Sequence, residues 1–151
     1  MFDGKFYRTP AHEVYDPAAN RWTALAYVPT ARDHLALAAL GGRLYAVGGR
    51  VNGDYSRNLA FNEAYDSATN RWEQRAPMPT ARSGIAGTVL EGRIFVFGGE
   101  APAGTFNEVE AYNPGSDLRE VPASCLLAVI CGLTATSPDS PGLCVDARPM
   151  R

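Results

Sequence analysis

The stretch YDPAANRW at residues 15–22 returns almost letter for letter at residues 65–72 as YDSATNRW. Tyr15 and Tyr65 are 50 positions apart, as are Trp22 and Trp72. Other landmarks keep the same interval. PTAR occurs at 29–32 and 79–82, and GGRLYAVGG at 41–49 becomes EGRIFVFGG at 91–99. Several landmarks in one register define an internal repeat rather than a coincidence. A third version, YNPGSDLR at 112–119, carries Arg119 where the tryptophan stood.

One period reads as four short strands. HLALAAL at 34–40 is an apolar run, ended by a glycine pair that signals a turn. RLYAVGG at 43–49 is the second run and FNEAYD at 61–66 the third. SATN is a turn, and RWEQRA at 71–76 is the fourth run. RVNGDYSRN between the second and third runs reads as a loop, with Asn52-Gly53 as its turn dipeptide. The prolines of PMPTAR make that stretch a poor strand interior.

Four strands joined by tight turns predict a four-stranded antiparallel sheet of the kind that forms a propeller blade. One such sheet cannot bury both faces alone, so each copy must present a similar packing surface to the next. The glycine pair Gly48-Gly49 marks where backbone must bend or lie close to another strand. Tyr65 and Trp72 are placed to pair across the third and fourth strands, and each needs one polar partner. Asn20 and Asn70 precede the tryptophans, where a residue tolerating left-handed backbone is useful.

A double glycine, a tyrosine and then a tryptophan, recurring at a period near 50, resembles the kelch repeat. Gly48, Gly49, Tyr65 and Trp72 match in one copy; Gly98, Gly99 and Tyr112 match in the next. Tyr15 and Trp22 match the end of an earlier copy. The resemblance spans about residues 11–118. It implies an all-β protein built of kelch-type β-propeller blades, and a rim of loops that grips a protein partner. Some propellers of this family are copper oxidases resembling galactose oxidase, and others are sialate mutarotases, so the fold alone does not fix function.

The count of strands predicts an incomplete ring. Residues 1–25 hold the last strands of a partial blade, 26–76 a complete one and 77–118 a partial one with three strands. A closed propeller takes about four to eight blades. The expectation is therefore a fragment, a truncated product or a subunit that closes by association. Residues 119–151 break the period. All 15 aromatic residues lie at or before Tyr112, whereas Cys125, Cys131 and Cys144 all follow it. A shifted reading frame accounts for this change, as does a diverged strand over 124–136 that starts another blade. Three cysteines without C-x-x-C spacing make neither a disulfide framework nor a zinc site.

Bulk charge excludes some partners. A net charge of −2 offers nothing to nucleic acid or an anionic membrane. No run of 18 apolar residues predicts a membrane span, and the first residues lack a signal-peptide pattern. Localisation stays open, leaning to the cytoplasm.

Catalytic chemistry finds few materials. His12 and His34 lie in different repeats, too few for a copper or zinc ligand set. Ser83 has no histidine in its own repeat to act as a base. The acidic pairs Glu63/Asp66 and Glu108/Glu110 recur at equivalent places, which predicts an exposed strand face rather than one catalytic site. No cofactor is implied.

Arg32 and Arg82 recur before the first strand of each repeat. They suit either a carboxylate-holding ring at the channel mouth or internal satisfaction of carbonyls, and recurrence favours the second. Arg43 and Arg93 recur as structural residues. The loops that differ between repeats are the better sites for function. The first carries Arg50, Asn52, Asp54, Tyr55 and Arg57, and the second begins at Glu100. Tyr and Arg are favoured contact residues in interfaces.

The leading expectation is a protein-binding module with no catalysis of its own, its partner contacts drawn from these loop residues and from Arg32 and Arg82. Self-association would cover open blade edges. The alternatives are a fragment of a propeller enzyme acting on carbohydrate, and a truncated product without function.

Overall fold

A computed structural model describes residues 9–120. The described residues form strands and no helix. A two-stranded hairpin comes first, β1 (Glu13–Asp16) with β2 (Arg21–Ala24). A four-stranded antiparallel sheet follows in the order β3-β4-β7-β8: β3 (Ala36–Leu40), β4 (Arg43–Val47), β7 (Asn62–Asp66) and β8 (Arg71–Arg75). Between β4 and β7 stands a small hairpin, β5 (Arg50–Val51) and β6 (Asp54–Asn58).

The second blade repeats the plan. Its sheet contains β9 (Ala86–Leu90), β10 (Arg93–Phe97), β13 (Val109–Asn113) and β14 (Leu118–Glu120). Its small hairpin is β11 (Glu100–Ala101) with β12 (Gly104–Thr105). The two four-stranded antiparallel sheets are the expected blades, and the described strands do not close a ring.

Two expectations change. The stretch after Gly49 is a paired hairpin rather than a loop. Asn52 (φ 60°) and Gly53 (φ 69°) both take the left-handed backbone that a two-residue hairpin turn needs. The second blade has four strands, because β14 pairs with β13 in the register Tyr112↔Arg119 even though no tryptophan stands at that position. The proposed strand over 124–136 and the three cysteines lie outside the described residues.

Alternation along each strand sends successive side chains to opposite faces. Tyr45 and Val47 of the first blade, with Ala38 and Ala64, pack against Ile94, Val96, Tyr112 and Met78. This is the inter-blade core. Small residues let the first strands approach: a Cβ on Gly87 would lie 3.0 Å from that of Ala36. The opposite face of the second sheet carries Phe95, Val109 and Ala111, with Phe97 beside them.

The glycine pair is required by close backbone approach. A Cβ on Gly48 (φ +63°) would lie 2.8 Å from the Arg82 carbonyl oxygen and 2.7 Å from Ile85 Cδ1. The Gly49 N–H donates to that same Arg82 carbonyl at 3.0 Å. The pair thus stitches the end of β4 to the entry of the next repeat. Tyr65 and Trp72 face each other in the β7–β8 register, ring centroids 5.3 Å apart.

Candidate functional site, a braced hairpin at the inter-blade rim

The site begins with Asp33, which precedes β3. Its backbone exchanges two hydrogen bonds with Arg50, of 3.0 and 2.9 Å, tying the base of the β5–β6 hairpin to the first strand. Asp33 Oδ1 accepts from Arg50 Nε at 3.1 Å and lies 2.8 Å from His34 Nδ1. Asp33 Oδ2 accepts the Gly53 N–H at 2.9 Å, holding the hairpin turn. Burial pushes the Asp33 carboxyl up, but the Gly53 N–H, His34 and Arg50 together outweigh it and hold it below the ordinary carboxylate range.

Arg50 reaches forward into the second blade. Its Nη1 donates to Glu100 Oε2 at 2.9 Å, and its guanidinium carbon lies 4.2 Å from the Tyr55 ring centroid. Arg50 is only 5% exposed. Asn58 Nδ2 donates to the Glu100 carbonyl at 2.7 Å, and Ser83 Oγ donates to Asn58 Oδ1 at 2.7 Å. The two small hairpins are thereby joined, β6 lying against β11.

Above this buried brace the hairpin is open to solvent. Asn52, Asp54, Tyr55 and Arg57 are all exposed, Tyr55 at 42%. Asp54 accepts from the Ser56 N–H at 2.9 Å and the Ser56 hydroxyl at 2.7 Å. Those two bonds hold its carboxyl below the usual range and fix the local backbone. Tyr55 and Arg57 thus project from a held ribbon rather than from a slack loop.

The structure separates the candidate residues into two groups. Arg50, with Glu100 as its half-buried partner, forms the brace; Asn52, Asp54, Tyr55 and Arg57 form the outer surface. Arg32 and Arg82 belong to neither. Both are buried, with side chains wholly enclosed. Arg32 donates to the carbonyls of Gly48 (2.6 Å), Thr30 (2.9 Å) and Ala46 (2.8 Å), and pairs with Glu63. Arg82 donates to the carbonyls of Glu108 (3.0 Å) and Val96 (3.5 Å), and its Nη2 stands 3.2 Å from Glu110 Oε2. Their guanidinium groups satisfy carbonyls inside the blades, so neither presents a charge at the surface.

The expected exposed acidic face is corrected as well. Glu63 and Glu110 are buried, 2% and 4% exposed, because both faces of the third strand are enclosed and each carboxylate meets its repeat's PTAR arginine. Sequence reasoning noted the arginines and the glutamates but not that they pair. The usable signal was their joint recurrence. The second pair is looser: Arg82 Nε and Glu110 Oε2 lack hydrogen-bond partners, and the Arg82–Glu110 contact is out of hydrogen-bond alignment. Burial lowers Arg82 below its ordinary value, with Glu110 opposing.

Among the described residues, no group of three or more His, Cys, Asp or Glu side chains is placed to hold a metal ion, and no helix is long and apolar enough to cross a membrane. His12 instead packs edge-on against Tyr65, ring centroids 4.5 Å apart.

A search of curated proteins finds no match to the chain. The family model of the kelch motif matches it twice, over residues 31–79 and 81–125, together more than half of its length. The two matches fall on the two four-stranded sheets, and the chain belongs to the kelch-motif family.

Proposed function

We propose that the chain is a protein-interaction module whose partner contacts the exposed edge of the β5–β6 hairpin through Tyr55 and Arg57, with Asn52 and Asp54 beside them. The observation that carries this reading is the pairing of exposure above with fixation below. Four consecutive residues from Asp54 to Arg57 are exposed on a ribbon whose base is held by buried Arg50. Pre-ordering a contact surface lowers the entropy cost of binding. Tyrosine and arginine supply large contact area and directional donors. Membership of the kelch-motif family supports a binding role. Arg50 and Glu100 act in this reading as positioning residues, and no catalytic step is assigned to the chain.

The test is site-directed photocrosslinking. A photoreactive phenylalanine replaces Tyr55 in one variant and Ser67 in another, Ser67 lying in the β7–β8 turn at the opposite edge of the blade. A discrete heteromeric protein adduct at position 55 and none at position 67 is expected. Adducts at 67 alone, or none at 55, would sink the reading.

A further inference from the structure

Asn52-Gly53 is the chain's one Asn-Gly pair, and it forms the turn of the β5–β6 hairpin. This dipeptide carries its own chemistry. Attack of the Gly53 backbone nitrogen on Asn52 Cγ closes a five-membered ring, and glycine brings no side chain to hinder the approach. Asn52 and Gly53 are both exposed, so water and base reach them. A Cβ built on Gly53 would meet nothing within 4 Å, so the turn is open on that side.

The other left-handed turn asparagines lack these conditions. Asn20 (φ 48°) and Asn70 (φ 52°) precede Arg21 and Arg71, whose side chains crowd the nitrogen. Their amide oxygens are also engaged. Asn20 Oδ1 accepts the Tyr15 hydroxyl at 2.8 Å. Asn70 Oδ1 accepts the Tyr65 hydroxyl at 3.0 Å and the Ala26 N–H at 2.8 Å, a latch to the preceding repeat. Asp117 makes the same latch in the second blade, accepting the Tyr112 hydroxyl at 2.7 Å and the Ala76 N–H at 3.2 Å.

One group opposes the reaction at Asn52. Asp33 Oδ2 accepts the Gly53 N–H at 2.9 Å. Attack requires that nitrogen to lose its proton, and an adjacent carboxylate disfavours the anion that results. Closure also swings the nitrogen into line with Asn52 Cβ, by rotation about the Asn52 Cα–C bond. That rotation pulls it out of the turn and breaks a bond whose acceptor is charged. Asp33 is itself held by two backbone bonds to Arg50 and by the Arg50 guanidinium.

We propose that Asn52 is a site of intramolecular deamidation and that Asp33 is the residue restraining it. The Gly53 N–H proton goes to a solvent base and the nitrogen bonds to Asn52 Cγ. The Cγ–Nδ2 bond breaks, and the amide nitrogen leaves as ammonia with a proton from water. Water then opens the cyclic imide at either carbonyl, leaving aspartate or β-linked isoaspartate. Either product adds a carboxylate beside Asp33 and Asp54, and isoaspartate also adds a backbone carbon to a two-residue turn. The chemistry belongs to the turn and stands independently of the partner role proposed for the hairpin.

The test ages the full chain at mildly alkaline pH, with and without urea, and then cuts it with trypsin. Cleavage after Arg50 and Arg57 isolates Asn52 in VNGDYSR at 51–57, while Asn20 and Asn70 fall in other fragments. Chromatography with mass spectrometry separates the asparagine, aspartate and isoaspartate forms. Asn52 should convert, and without urea it should do so at least about tenfold more slowly than in urea. In the folded chain Asn20 and Asn70 should stay intact. Asp33→Ala keeps the backbone bonds to Arg50 and should recover most of the urea rate without urea. Asp33→Asn keeps an acceptor without the charge and should be accelerated too, by less. Arg50→Met loosens the hairpin base but leaves Asp33 on Gly53, and should recover little. No conversion in urea, equal rates with and without urea, no acceleration in the Asp33 variants, or equal acceleration by Asp33→Ala and Arg50→Met overturns the proposal.

Discussion

Arg50 and Glu100 hold equivalent positions in successive repeats, 50 residues apart, and bond directly to each other, Nη1 to Oε2 at 2.9 Å. The repeat therefore places opposite charges at one structural position and uses them to join neighbours. Arg50 is buried and Glu100 half-buried, so the coupling should be modest. A double-mutant cycle with Arg50→Met and Glu100→Gln should return an interaction of about 0.5–1 kcal/mol, reduced by salt. Denaturant unfolding measures it. Additive single effects would mean that the contact joins nothing.

The buried arginine–glutamate pairs should differ in strength. Glu63 also accepts the Thr30 hydroxyl at 2.7 Å, and its Arg32 partner has every nitrogen engaged. Breaking such a pair leaves a buried charge unmatched and costs about 3–5 kcal/mol. Arg82–Glu110 already leaves two buried polar atoms without partners. Glu110→Gln should cost less, about 1–3 kcal/mol. Equal losses for Glu63→Gln and Glu110→Gln in urea unfolding would refute the ranking.

Asp117 gives one latch a pH dependence that its Asn70 counterpart lacks. The Tyr112 hydroxyl first, and then the Ala76 N–H, hold the Asp117 carboxyl below the usual range. Burial and that same bond push the Tyr112 phenol up. A depressed carboxylate contributes stability that is present above its unfolded pKa and is lost as pH falls through the folded value. Asp117→Asn keeps the accepting oxygen, as Asn70 does, without the titration. Between about pH 7 and about pH 2.5 the thermal midpoint of the wild type should therefore fall further than that of the variant. Parallel curves would show that the bond adds no pH-linked stability.

Glycines at positive φ should separate by their surroundings. Gly48→Ala forces a Cβ into the Arg82 carbonyl, Ile85 and Met78, and should cost about 3 kcal/mol or more. Gly53→Ala at φ +69° meets nothing within 4 Å, so only backbone strain remains, about 1–2 kcal/mol. Thermal unfolding of the two variants orders them. A milder effect at Gly48 would contradict the inter-blade stitch.

The repeat made the strands legible because its markers are local. The Tyr65–Trp72 pairing, the glycine pair and the left-handed asparagines all follow from residue type and spacing, and the structure has each of them. What sequence hid was pairing between distant polar residues. In a blade both faces of the third strand are enclosed, so NEAYD shows no apolar alternation, and Glu63 looked exposed. The β5–β6 hairpin pairs only through Arg50 and Val51 across a register shift, too short to leave a periodic pattern. Asn20 and Asn70 were readable as turn residues, but the second bond of Asn70 reaches another repeat, which only the fold brings near. In β14, Arg119 replaced the aromatic marker, although the backbone still pairs.

The central claim is that the exposed edge of the β5–β6 hairpin carries the partner contact while the enclosed arginines carry the fold. Once the adduct at position 55 identifies the partner, the deciding measurement is its dissociation constant with the wild type and with a Tyr55→Ala, Arg57→Ala double variant, alongside the thermal midpoint of each. The account predicts a loss of affinity of about tenfold or more with a midpoint lowered only by the lost contact between the Tyr55 ring and Arg50, about 0.5–1 kcal/mol of stability. Unchanged affinity in a normally folded double variant would contradict it.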